Sequence, residues 1–213
     1  MKITILYDNT LENPNLIKNW GFSALIEYQG RKLLFDTGAS GKILLSNMRE
    51  LAINPMDIDD IVISHNHFDH IGGLSSILDN LYEVKIWLTP SLRGVKNARE
   101  IITADSPKHL YKGVYTTGEL ESIEQFLCLQ SSKGLVIIAG CSHPDMKTVY
   151  RAASQFGKPY AIIGGLHGTL PESLNRFDYI CATHCTKFKT EIESLYPHKF
   201  ERGGAGKVIT IPV

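Results

Sequence analysis

The segment Ser64-His65-Asn66-His67-Phe68-Asp69-His70 places three imidazoles and a carboxylate within six residues. Residues two apart in an extended segment point the same way, so His65 and His67 can grip one ion together. Asp69 and His70 follow where the chain turns toward Gly72-Gly73, and can reach a second ion. Neutral imidazole and carboxylate suit zinc, iron or manganese better than calcium, which takes all-oxygen shells. A lone histidine at a strand end is ordinarily a hydrogen-bonded polar group. Four such side chains delivered together by an apolar strand carry a desolvation cost that an ion would offset.

The pattern returns three times. Leu135–Ala139 delivers Gly140-Cys141-Ser142-His143-Pro144, Tyr160–Ile163 delivers Gly164-Gly165-Leu166-His167-Gly168, and Tyr179–Ala182 delivers Thr183-His184-Cys185-Thr186. Side chains at strand ends of an α/β protein converge on one rim, where sites are built. Two divalent ions there, zinc with manganese or iron as alternatives, would activate a bound water and polarise a carbonyl or phosphoryl oxygen. Asp69 can orient that water as well as ligate. His167 is a ligand, a proton-transfer group or a substrate contact, and otherwise packs its turn. A helix after Thr186 would offer free N–H groups to a small anionic substrate, with Thr186 and Lys187 as contacts. His109 and His198 lie in unpatterned segments and read as surface residues; Cys128, Cys181 and Cys185 read as structural thiols.

The elements that must position these groups are legible around them. Ile3–Tyr7, Ser23–Tyr28 and Lys32–Phe35 read as strands, the last two joined at Gln29-Gly30-Arg31. Asp36-Thr37-Gly38 ends this section. A helix capped by Ser40 carries Ile43, Leu44, Met48 and Leu51 and stops before Asn54-Pro55. Ile61-Val62-Ile63 reads as a strand buried on both faces. A helix with Leu74, Ile77, Leu78 and Leu81 follows, then the strand Val84–Leu88. Residues 91–125 show no sustained period and read as a loop-rich insertion with short helix and strand pieces. Phe126–Leu129 and Leu135–Ile138 pair around Ser132-Lys133-Gly134. Ser142 is the expected cap of a helix with Met146, Val149, Ala153 and Phe156 on one face. Phe188, Ile192 and Leu195 face inward on a later helix, and Val208–Ile211 is a terminal strand. No linker interrupts the chain, so one α/β domain over 1–213 is expected.

Bulk composition agrees. The 213 residues carry 22 Lys+Arg against 22 Asp+Glu, a balance that argues against a broadly basic nucleic-acid binder. No apolar run reaches the roughly 18 residues of a membrane span. The start meets Asp8 too early for a signal peptide, and four cysteines make no disulfide framework, so a cytoplasmic location is expected.

The motif at 64–70 resembles the His-x-His-x-Asp-His signature of the metallo-β-lactamase superfamily, and Asp36-Thr37-Gly38 resembles its upstream Asp-Thr-Gly turn. The resemblance implies an αββα sandwich, two mixed sheets flanked by helices, with a one- or two-metal site at the edge between the sheets. Val114–Glu119, Ala139–His143, Gly164–His167 and Thr183–Thr186 further resemble the branch named after 7,8-dihydropterin-6-methyl-4-(β-D-ribofuranosyl)aminobenzene-5′-phosphate synthase. That implies His65, His67 and His143 at one metal, and Asp69, His70 and His184 at the other. The superfamily commonly places a metal-bridging carboxylate after a strand like Leu135–Ala139; here Cys141 or His143 would fill that position, with Cys141 otherwise supporting the ligands, as Asp36 also could. Only residues 168–178 separate the last two turns, fewer than is usual in the branch, and Lys187 stands where it often has glycine. The implied activity is metal-dependent hydrolysis of an ester or phosphoester. The alternative is a synthase-like transferase releasing diphosphate; a diiron redox protein and a nuclease rank below both.

Overall fold

Along the strands, apolar side chains alternate between two layers that both exclude water. Leu33 and Phe35 enter one apolar cluster while Leu34 between them enters another, and Val136 and Ile138 oppose Leu135, Ile137 and Ala139 in the same manner. A strand apolar on both faces must be covered on both, by a second sheet on one side and by helices on the other. The computed structural model describes residues 1–79, 81 and 84–213.

In the first half the elements are β1 (Lys2–Tyr7), β2 (Ser23–Tyr28), β3 (Arg31–Phe35), α1 (Gly41–Glu50) and β4 (Asp60–Val62). A single helical turn α2 (Phe68–Ile71), then α3 (Leu74–Leu78), β5 (Lys85–Leu88) and β6 (Glu100–Thr103) follow. The second half contains β7 (Lys108–Tyr111), β8 (Val114–Thr116), β9 (Leu127–Ser131), β10 (Gly134–Ala139), α4 (Met146–Ser154) and β11 (Pro159–Gly165). It ends with β12 (Tyr179–Thr183), α5 (Lys189–Leu195), β13 (Phe200–Arg202) and β14 (Val208–Thr210).

Two seven-stranded sheets result, ordered β14-β1-β2-β3-β4-β5-β6 and β13-β12-β11-β10-β9-β8-β7. Each is antiparallel in one half and parallel in the other: β3 through β6 run parallel, as do β10 through β13. The sheets pack face to face through Ile5, Phe35 and Val62 against Val136, Ile138 and Ile163. Leu44 and Met48 of α1 and Ile77 of α3 cover the first sheet's outer face; Met146, Val149 and Ile192 cover the second's. This is the expected sandwich of two mixed sheets between helices.

Gln125 joins the layers. Its Nε2 donates to the carbonyls of Ile63 (2.8 Å) and Trp87 (3.2 Å), and its Oε1 accepts from Thr116 Oγ1 at 2.6 Å. The register of β10, β11 and β12 sets Ala139 beside Gly164 and Gly164 beside Ala182, so three of the histidine turns leave one rim side by side.

Several local expectations change. The 91–125 stretch contains β6, β7 and β8 and no helix, the strands being short and held by their neighbours in the sheets. The cap of α4 is Asp145, which accepts from Lys147 N, rather than Ser142, whose hydroxyl donates to Gly165 O. Ser40 occupies the N-cap position of α1 but makes no side-chain cap bond. Leu195 is exposed instead of inward. Strand β13 was not foreseen. The expected helical face through Leu81 crosses Asn80, which lies outside the described residues; Leu81 itself packs in the same apolar layer as α3.

Candidate metal centre

The turn after β4 and the turns after β10 and β12 face each other across the rim. His65, His67 and His143 offer ligand atoms within 4.8 Å of one another, and Asp69, His70 and His184 form a second such group. Ring centroids of His143 lie 4.9 Å from His65 and 4.8 Å from His67. His184 Nε2 lies 3.1 Å from Asp69 Oδ2. Cys141 belongs with His65 and His70 in a third group, so both Cys141 and His143 reach the cluster.

Hydrogen bonding fixes the tautomers. Asp36, fully buried, accepts from Ser64 N and Ser64 Oγ, each at 2.7 Å, and faces His70 Nδ1 at 2.7 Å. A carboxylate accepts only, so His70 carries its proton on Nδ1 and turns the Nε2 lone pair inward. Ser64 spends its one proton on Asp36 and therefore accepts from His65 Nδ1 at 2.8 Å, which frees His65 Nε2. Asn9 Oδ1, 3.0 Å from His184 Nδ1, does the same for His184. The three inward-facing nitrogens converge on one another's neighbours: His65 Nε2 faces His67 Nδ1 at 3.1 Å, His70 Nε2 faces Cys141 Sγ at 3.1 Å, and His184 Nε2 faces Asp69, whose carboxylate only accepts. His143 Nε2 is buried without a hydrogen-bond partner. A divalent cation shared by each group would satisfy all of these atoms, so the donor set fits a metal.

Electrostatics follow from this packing. Burial, reinforced by its neighbouring imidazoles, holds His65 far below the usual histidine range, and the same causes bring His143 down to about 4. Burial also pulls His70 down, but the adjacent Asp36 carboxylate outweighs it and leaves His70 raised. Burial pushes Asp69 up, yet its bond to His184 and the charge of His70 hold it well below the carboxylate range.

Two anchors escaped the sequence reading. Glu124, fully buried, accepts the main-chain N–H groups of Gly140, Cys141 and Ser142 on Oε1 and that of His143 on Oε2 at 2.8 Å. Asp8 Oδ2 accepts from His184 N at 2.7 Å, beside Asn9. The available signal was position: Asp8-Asn9 directly follow one apolar strand, and Glu124-Gln125 directly precede another. Trp20, exposed, sets its ring 4.9 Å from His184.

Gly140 leaves room for this wiring, because a side chain there would run into Ser64 Oγ and reach within 3.0 Å of Asp36 Oδ2. Asp36 (φ 55°), Ser142 (φ 61°), His167 (φ 38°) and His184 (φ 40°) all adopt the left-handed conformation that disfavours side chains.

His167 belongs to none of the ligand groups; it is exposed, with its ring 4.8 Å from His143. The helix expected to start after Thr186 starts instead at Lys189. Thr186 is buried, its hydroxyl donating to Thr183 O and accepting from Leu166 N. Lys187 is exposed and donates its main-chain N–H to His167 O. Cys128 and Cys181 are buried in apolar layers, where burial pushes the Cys181 thiol up to about 12. Cys185, half-buried, sets its Sγ 3.2 Å from Cys141 Sγ. His109 and His198 are exposed. Among the described residues no helix is long and apolar enough to cross a membrane.

Comparison with known proteins gives concordant results. The family model of the metallo-beta-lactamase superfamily matches residues 21–145. The chain is 31% identical, over 280 residues, to a Methanocaldococcus jannaschii protein described as 7,8-dihydropterin-6-methyl-4-(beta-D-ribofuranosyl)-aminobenzene-5′-phosphate synthase, covering 97% of this chain and 95% of that one. Among solved structures, a metal-dependent hydrolase of the β-lactamase superfamily superposes with a TM-score of 0.80 at 22% identity, over 100% of both chains. A diphosphatase from the PhnP family superposes with a TM-score of 0.65 at 14% identity, over 98% of this chain and 97% of that one.

Proposed function

This chain belongs to the metallo-β-lactamase superfamily, and from that premise we propose that it is a metal-dependent hydrolase cleaving an ester or phosphoester bond of a small anionic substrate. It is an enzyme of a fold that implies divalent-metal binding. We assign one metal position to His65, His67 and His143 and a second to Asp69, His70 and His184, with zinc as the ion and manganese or iron as alternatives. The observation that carries this reading is the tautomer wiring: His65, His70 and His184 each commit Nδ1 to a protein acceptor and direct Nε2 into the cluster.

When bound, the two ions supply Lewis acidity, readying a nucleophile at neutral pH and stabilising charge on the attacked oxygen. The protein supplies the rest. Asp69, held ionised, orients the attacking water. His167, on the open side next to His143, is placed to pass a proton to the leaving group. Lys187, tied to His167 O through its main-chain N–H, offers an exposed side chain for an anionic substrate. Thr186, expected from the sequence to contact substrate, is buried and holds the turn that presents Lys187.

A second reading, a transferase joining a dihydropterin diphosphate to an aminobenzene-ribose phosphate, is favoured by the 31% identity to the synthase across nearly the whole chain. Both readings are tested by incubating zinc-loaded protein with carboxyl- and phosphoester substrates and, separately, with the two synthase substrates. Ester cleavage supports the hydrolase. Diphosphate released only when both synthase substrates are present supports the transferase. Full activity of the metal-stripped protein on whichever substrate turns over would overturn the metal-dependent mechanism common to both.

A further inference from the structure

The four cysteines divide into two kinds. Cys128 and Cys181 belong to the apolar layers, whereas Cys141 and Cys185 belong to neither layer nor any other apolar cluster among the described residues. Cys141 Sγ lies 3.1 Å from His70 Nε2 and 3.2 Å from Cys185 Sγ. The donor atoms of Cys141, His184 and Cys185 all lie within 4.8 Å of one another, as do those of His65, His70 and Cys141. Each sulfur is therefore within reach of imidazoles assigned to metal.

The local backbone is shaped to put them there. The Cys141 N–H is tied to Glu124, and Cys185 follows the left-handed His184. Gly165 lies between the two turns, where a side chain would come 2.9 Å from Cys185 Sγ. Besides the other thiol, the Cys185 sulfur meets Cys141 O at 3.8 Å and the main chain of His167, both weak partners for a thiol.

We infer that Cys141 and Cys185 are sulfur donors to the metal position formed by Asp69, His70 and His184. Sulfur ligands bias that position toward zinc, cadmium or iron(II) and away from magnesium and manganese. The inference rests on the metal-centre reading above and adds a ligand pair and a metal class to it.

Cobalt(II) titration of the metal-free full-length protein under reducing conditions tests it. Thiolate coordination gives a near-ultraviolet charge-transfer absorption, while cobalt held by nitrogen and oxygen gives visible d–d bands alone. The wild type should show both. Cys141→Ser and Cys185→Ser should each weaken the near-ultraviolet band, and the double variant should lose it while keeping d–d bands. Zinc affinity, measured against a chromophoric chelator, should fall on the order of 10- to 100-fold in the double variant, with manganese affinity unchanged. Cys185→Ala, checked for folding by circular dichroism, serves if a serine variant misfolds.

Visible bands without the near-ultraviolet feature would overturn the sulfur ligation and leave the metal centre standing. So would a Cys141–Cys185 disulfide found by mass spectrometry in the metal-loaded protein. Failure of cobalt to bind at all would overturn the metal centre itself, and the inference with it.

Discussion

Glu124 Oε2 accepts the main-chain N–H of His143 at 2.8 Å, and the other carboxylate oxygen takes the three amides before it. A fully buried carboxyl group thus fixes the turn that presents His143 and Cys141, without hydrogen-bonding either ring or sulfur. Glu124→Ala would strand four main-chain donors, each a desolvation cost of about 1–3 kcal/mol before water relieves part of it. The expected loss is about 4 kcal/mol, seen as a melting temperature lower by roughly 10 °C. A melting temperature within a degree or two of wild type would contradict this account of the turn.

Asp36→Asn isolates second-layer control of His70. Asparagine tolerates the left-handed backbone at this position, so the change removes charge without adding strain. Zinc affinity should fall about 10- to 100-fold because the Nδ1 proton of His70 loses its carboxylate. Calorimetric titration of zinc into metal-free protein reads this directly, and unchanged affinity would count against the tautomer argument.

The two metal positions should separate by substitution. His143→Ala should leave the Asp69–His70–His184 position occupied, and His184→Ala should leave the His65–His67 side. Elemental analysis would then find about one ion fewer per chain in the His143 variant, and in the His184 variant once Cys141 and Cys185 are also replaced. Each position is asked for several kcal/mol of transition-state stabilisation, so activity should drop on the order of 100-fold or more in either variant. Full metal content in both variants would defeat the assignment.

The metal-free protein should lose stability in mild acid. An unfolded histidine protonates near 6.5, whereas burial and neighbouring imidazoles hold His143 down to about 4 and His65 below that, and burial also lowers His184. Between about 6.5 and about 4 the unfolded chain therefore binds protons that the folded chain refuses, so stability falls as pH falls. His70, raised by Asp36 against the pull of burial, and Glu124, raised by burial, act in the opposite sense, two groups against three. The urea midpoint should be lower at pH 5 than at pH 7; a flat or rising profile would contradict this.

Much of the sandwich was readable because its strands are apolar on both faces. Ile61-Val62, Val136–Ala139 and Ile180–Ala182 admit little besides burial between two layers, and histidine turns directly after them locate the rim. Strands β6, β7 and β13 were not readable. Glu100–Thr103 is mostly exposed, so it carries little apolar pattern and is held by pairing with β5. Caps were misread where a rim turn intervenes, as at Ser142, whose hydroxyl is drawn to Gly165 O. The histidines and Asp69 announced themselves by spacing. Glu124, Asp8 and Asn9 did not, since each acts on main-chain or ring atoms of a residue distant in sequence, a relation that only the folded sheets create.

The left-handed residues at 36, 142, 167 and 184 carry a further implication. Each such conformation costs on the order of 1–3 kcal/mol, and all four lie in turns at the same rim. Glycine would relieve that strain at every one of them and erase the functional side chain in the same stroke. Thermal durability alone would therefore favour glycine at this rim, and the polar residues there mark where the molecule forgoes robustness to keep its chemistry.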